Sequence, residues 1–116
     1  MKNVKQDINK SFIKQNGLEF SFFLDKDFIA FKGHFPKYPI LPGIVQIDMV
    51  LFCIQKLLNK DAALKEIRKI KFAKPIFPKS QVDISIVANN PKFNALVKCS
   101  DIICSQISLE IIERLL

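Results

Sequence analysis

The chain of 116 residues holds one histidine, three glycines and three cysteines. Glycine this scarce, with only six prolines, excludes collagen-like and linker-dominated architectures. A single histidine supplies a zinc site poorly, so no metal is expected. Cys53, Cys99 and Cys104 are odd in number and form no Cys-x-x-Cys pair. They read as buried reduced thiols rather than a metal or redox site. The most hydrophobic stretch, Ile44 to Leu58, is broken by Gln46, Asp48, Gln55 and Lys56. A membrane span needs roughly 20 mostly apolar residues, so none is expected. Met1 to Lys10 reads MKNVKQDINK and lacks the apolar core of a secretory signal, so the expected location is cytoplasmic.

What is present is an ordinary globular balance, 49% hydrophobic and 25% charged, which excludes intrinsic disorder. A chain this size has one core and should hide about two-thirds of its unfolded surface. A single domain over residues 1–116 is expected. Eighteen Lys and Arg against eleven Asp and Glu leave a net charge of +7. That surplus suits an acidic partner, whether nucleic acid, anionic lipid or acidic protein, and does not choose among them. Nucleic acid is disfavoured, because most phenylalanines sit at alternating, core-type positions rather than among exposed lysines.

The apolar periodicity outlines the fold. Leu18, Phe20, Phe22 and Leu24 alternate with Glu19 and Ser21, the period of a half-buried strand. Asp25-Lys26-Asp27 reads as a turn and Phe28 to Phe31 as a second short strand. Pro36, Pro39 and Pro42 then stiffen a loop from Gly33 to Gly43. The following IVQIDMVLFCIQKLLNK reads as a helix apolar nearly all round, ending near Asn59-Lys60-Asp61. Such a helix must be buried on most sides. Further strands are expected around Ile67, Ile70 and Phe72, at Val82, Ile84 and Ile86, and at Phe93, Ala95 and Val97. A last strand aligns Ile103, Ile107, Leu109 and Ile111 on one face. Asn89-Asn90-Pro91-Lys92 supplies a hairpin turn. The class is α+β, with a curved antiparallel sheet of about six strands wrapped around one long buried central helix. One sheet leaves part of that helix wet, so a dimer is expected.

Phe31 to Val50 carries the candidate chemistry. His34 is the one side chain whose ordinary pKa lies near neutrality. Pro42-Gly43 opens the helix, whose first N–H groups favour negative charge. Asp48 lies in the second turn between apolar neighbours, where desolvation raises a carboxyl pKa. A base, a poised acid and a helix N-terminus suit proton chemistry beside a carbonyl. Taken singly, a loop histidine is more often structural, and a helical Asp more often solvated.

GHFPKYPILPG followed by Asp48 resembles the signature of the FabZ/FabA-type 3-hydroxyacyl-(acyl-carrier-protein) dehydratases, which have a hotdog fold. KIKFAKPIFPKSQVDISI resembles the strand and turn after that family's helix, and LPGIVQID the ApeI-like members of aryl-polyene pathways. The likeness runs from about Leu18 to Ile112. It implies His34 as the catalytic base and Asp48 as the acid, with the Gly43 N–H on the thioester carbonyl. Phe35, Pro42 and Phe52 would line the substrate loop and tunnel, Phe52 standing where the family often has Gln. The substrate would be a (3R)-hydroxyacyl thioester on the phosphopantetheine arm of acyl carrier protein, dehydrated to the trans-2-enoyl thioester. The resemblance further implies a homodimer with shared active sites. No cofactor would be needed, since elimination of water moves only protons. An acidic carrier protein gives the basic surplus a role, with Arg68, Lys69, Lys71 and Lys74 as docking candidates. Ordinary solvated charge explains any one of them equally well.

Two other readings keep the same fold. A hotdog acyl thioesterase would hydrolyse the thioester, but would not require a histidine before the proline loop as well as the helix acid. A non-catalytic acyl-binding subunit would not need both His34 and Asp48.

Overall fold

The computed structural model describes residues 3–32 and 39–114. The chain opens with helix α1 (Val4–Ser11), then strands β1 (Phe12–Asn16) and β2 (Glu19–Leu24). A 3-10 turn at Ile29–Phe31 precedes helix α2 (Gly43–Leu58). Strands β3 (Ala62–Phe72), β4 (Ser80–Asn89), β5 (Lys92–Cys99) and β6 (Ile102–Glu113) complete it. All six strands form one antiparallel sheet in the order β1-β2-β4-β5-β6-β3. The expected class and strand number stand. Helix α2 has 16 residues and α1 has 8, and no helix among the described residues is long and apolar enough to cross a membrane.

The core is the inner face of the sheet packed on α2. Phe20, Phe22 and Leu24 of β2 alternate inward with Val82, Ile84 and Ile86 of β4. Phe93, Ala95 and Val97 of β5 and Ile107, Leu109 and Ile111 of β6 continue that face. Val45, Met49, Val50, Cys53 and Ile54 of α2 close onto it. Each large apolar side chain so buried contributes about 1.5–3 kcal/mol. Helix α2 stops where Asn59 turns left-handed at φ 52°, a conformation asparagine tolerates better than most residues. The Asn90-Pro91 turn joins Asn89 to Lys92 as expected.

Four expectations are corrected. Among the described residues there are two α-helices rather than one long one. Helix α1 is polar, with Asp7, Ile8 and Ser11 buried, so it shows almost no apolar stripe. Its signal is the cap, where Asn3 accepts a hydrogen bond from the Gln6 N–H at 2.9 Å, at capping-box spacing. Second, Phe28 to Phe31 is a 3-10 turn, not a strand. The Asp7 carboxylate accepts the Ile29 N–H at 2.7 Å, and Phe28 and Phe31 pack edge to face at 5.9 Å. The sixth strand is instead β1. Third, Ile103 is 40% exposed. The pairing jumps from Val97–Ser105 to Lys98–Ile103, and the extra residue, Cys104, turns Ile103 outward. Fourth, α2 is not buried nearly all round, since Ile44 is 70% exposed and Asp48 also faces outward.

Edge strand β3 explains that open side. Leu64, Ile67, Ile70 and Phe72 pair with Ile111, Leu109, Ile107 and Ser105. They therefore belong to the inner face, yet each stays at least one-third exposed. Helix α2 touches this strand near its two ends, with Gly43 against Phe72 and Gln55 donating to the Ala62 carbonyl at 2.8 Å, and leaves its apolar side chains partly open.

Candidate active site

Pro42 is the N-cap of α2 and its carbonyl accepts from Val45 at 3.1 Å and Gln46 at 3.2 Å. The N–H groups of Gly43 and Ile44 precede those first helical bonds and point out of the helix start. The Phe72 ring lies against Gly43, where an added Cβ would fall 2.5 Å from its Cζ. A side chain at this position would have to displace the half-exposed Phe72 ring. Beneath the helix start, buried Gln46 accepts a hydrogen bond from the Ser105 hydroxyl and donates weakly to the Leu41 carbonyl at 3.5 Å. Sequence reasoning missed this polar tie. Its signal is a glutamine inside an otherwise apolar first turn.

Pro42, Gly43, Gln46, Phe72 and Lys74 line one cavity of about 300 Å³. Asp48 lines another, of about 320 Å³, with Lys5, Ile8, Leu51, Phe52 and Gln55 on one wall. Asp61, Ala62, Ala63, Leu64 and Arg114 form the other wall. Gly43 and Asp48 are five residues apart, about 7.5 Å along the helix and about 140° around it. One chain thus keeps the candidate carbonyl-binding N–H and the candidate acid in separate cavities. Asp48 is exposed in one chain, yet partial desolvation at the cavity wall pushes its carboxyl above the usual carboxylate range, and the Lys5 ammonium pulls it part of the way back. A carboxyl so raised can hold a proton for donation.

Phe52 sits one turn beyond Asp48. Its ring packs on Phe12 at 5.4 Å and Phe22 at 5.7 Å, with the Lys56 ammonium about 5 Å from the Phe12 and Phe52 rings. It forms an aromatic end to the Asp48 cavity. Among the docking candidates, Lys74 stands beside Gly43. Lys69 and Lys71 pair with Ser108 and Gln106 on the sheet's outer face. Arg68 lies 3.7 Å from Glu110 and 4.0 Å from Glu66, so its charge is partly answered within the chain. His34 and Phe35 lie outside the described residues.

Cys53 and Cys99 are both held as neutral thiols. Burial pushes the Cys53 thiol well up. Burial, Cys104 and Asp83 push the Cys99 thiol up to about 12, far from the thiolate needed for a nucleophile.

Comparison with known proteins now bears on this arrangement. A family model described as ApeI-like, ApeI dehydratase, matches residues 9–107. The chain belongs to this ApeI-like dehydratase family. The dehydratase heterocomplex ApeI:P from Xenorhabdus doucetiae superposes with a TM-score of 0.75 at 27% identity, covering 84% of this chain and 91% of that one. An uncharacterized Erwinia carotovora protein aligns with a TM-score of 0.74 at 21% identity, covering 89% and 90% of the two chains, and so shares the fold. The 3-hydroxyacyl-(acyl-carrier-protein) dehydratase FabZ of Geobacter metallireducens is 30% identical over 71 residues, covering 53% of this chain and 47% of its own length. That of Koribacter versatilis is 34% identical over 64 residues, covering 48% and 41%. The match thus spans about half the length of these curated relatives. A six-stranded antiparallel sheet on a helix, in a chain of the ApeI-like dehydratase family, is the expected hotdog arrangement.

Proposed function

We propose that this ApeI-like chain, acting as one domain, dehydrates a (3R)-hydroxyacyl thioester carried on acyl carrier protein to the trans-2-enoyl thioester. His34 takes the proton from the carbon beside the thioester, and the C–H electron pair moves toward the carbonyl. Asp48 gives its proton to the 3-hydroxyl, the C–O bond breaks and water leaves. The Gly43 N–H stabilises the negative charge that builds on the thioester oxygen. A positioned acid or base is worth about 10²–10⁴-fold, and an oxyanion donor on the order of 3–4 kcal/mol. Proton transfers accompany the loss of the hydroxyl as water, with no net oxidation or reduction, so the chemistry calls for no redox group.

The observation that carries this reading is Asp48 itself, a carboxyl raised by partial desolvation on the wall of a cavity in a dehydratase-family chain. The separation of Gly43 from Asp48 supports a site shared between two copies. So does the uncovered apolar face of β3 beside Ile44. In such a homodimer each site takes His34 and Gly43 from one protomer and Asp48 from the other. Lys74, beside Gly43, is well placed to meet an acidic carrier.

The test is incubation with 3-hydroxyacyl-carrier-protein substrates of several acyl groups, read by mass spectrometry. Loss of one water from the intact thioester is expected. Release of free carrier thiol instead would identify a thioesterase, and no change a binding subunit.

A further inference from the structure

The N-terminal helix brings a cation to the cavity that holds the acid. Helix α1 packs against α2, with Ile8 buried in the core and the Asp7 carboxylate bonded to the Ile29 N–H. Lys5 lies one turn before Ile8 on the same face and shares the cavity of about 320 Å³ with Asp48. The other charges around that cavity are engaged elsewhere. Arg114 pairs with Asp61 at 3.6 Å, and its N–H donates to the Asp61 carbonyl at 3.1 Å. Lys56, on the same helix as Asp48, is turned over the Phe12 and Phe52 rings. Among the described residues, Lys5 is the cation that acts on the Asp48 carboxyl, opposing the effect of burial.

We propose that Lys5 is a positioning residue for Asp48: from the wall of the shared cavity its ammonium compensates the negative charge that Asp48 acquires on giving up its proton. This rests on the acid role proposed above and adds a residue from outside the loop and helix that carry the candidate signature. A partly desolvated acid without a neighbouring cation holds its proton more firmly against release to a leaving hydroxyl. With the cation, the proton is held at rest and released at turnover. Lys5 thereby sets the alkaline edge of the activity.

The experiment compares wild type with Lys5→Met, Lys5→Gln and Lys5→Arg. The Asp48 carboxyl is followed by carbon-13 NMR, assigned by its absence in Asp48→Asn, alongside the pH profile of dehydration. Both neutral variants should raise the Asp48 midpoint and the alkaline limb together, by about half a pH unit for a solvent-screened pair. Lys5→Arg should restore both. Molar salt should shrink the gap between wild type and the neutral variants. An Asp48 midpoint that stays put in both neutral variants overturns the proposal. A shifted midpoint in a protein that dehydrates no hydroxyacyl thioester upholds the Lys5–Asp48 coupling and removes the reaction assigned above.

Discussion

Strands β3 and β4 both present apolar residues to the face that packs on α2, and their fates differ. Val82, Ile84 and Ile86 of β4 are at most 2% exposed, whereas Leu64, Ile67, Ile70 and Phe72 of β3 are 36–49% exposed. Position in the sheet accounts for this. Strand β4 lies between β2 and β5, while β3 is a sheet edge that touches α2 at Gly43 and Gln55 yet keeps its apolar side chains partly open. An apolar face contributes its stability only once water leaves it. The β4 region is therefore finished within one chain and the β3 region is not. Gly43, Asp48 and Lys74 all line cavities on the unfinished side, with Phe72 or Leu64 in their walls. Stability is concentrated on one side of α2 and the candidate chemistry on the other.

Substitutions on the two sides should separate accordingly. The largest effects belong to the candidate site. His34→Ala and Asp48→Asn should each lower enoyl formation by at least about 100-fold. Thermal melts should stay cooperative. Either variant keeping a tenth of wild-type turnover would remove its residue from the proton chemistry.

Next in size is the contrast between the strands. Ile84→Ala should cost about 2–5 kcal/mol in urea unfolding, the loss typical of a filled core site. Ile67→Ala should cost less than half of that in dilute protein, and the loss should grow with protein concentration. A contact completed by a second copy depends on mass action. An equal, concentration-independent loss at both positions would erase the distinction between the strands.

The smallest effect is a pH dependence of stability. Asp48 has a raised pKa in the fold, so the folded chain binds more protons than the unfolded one between about pH 3.9 and the raised value. Stability due to this group is highest below that window and falls as pH rises through it. Asp48→Asn removes the fall. Its melting temperature should gain on wild type across the window and stay level with pH below about pH 3. A gap that narrows with rising pH would mean that Asp48 is stabilised as the carboxylate.

How much of this the sequence carries differs along the same division. Strands β2, β4 and β5 are legible because each alternates against a closed core, so burial and pattern agree. Helix α2 is legible from its apolar length and its Pro42-Gly43 start. Helix α1 is not, because a helix held by an asparagine cap, the buried Ile8 and an Asp7 contact to Ile29 shows little apolar period. Strand β1 escapes because nearly all its residues are exposed. The outward turn of Ile103 depends on a one-residue bulge, which leaves the apolar spacing of β6 unchanged. Asp48 is legible as a candidate from its apolar neighbours. The cation beside it is not, since Lys5 lies 43 positions earlier and meets it only through α1 packing. Likewise, the separation of Gly43 from Asp48 is a matter of helical phase, visible once the two cavities are known.

The central claim is that two chains together make each site, and complementation tests it most directly. Inactive His34→Ala and inactive Asp48→Asn proteins are unfolded together, refolded as a mixture and assayed for enoyl formation. In a mixed dimer with shared sites, one site collects both substitutions and the other collects neither. Half the dimers are mixed under random pairing, so about a quarter of wild-type activity should return. A mixture shown by native mass spectrometry to contain the mixed dimer, yet still inactive, would contradict the shared site.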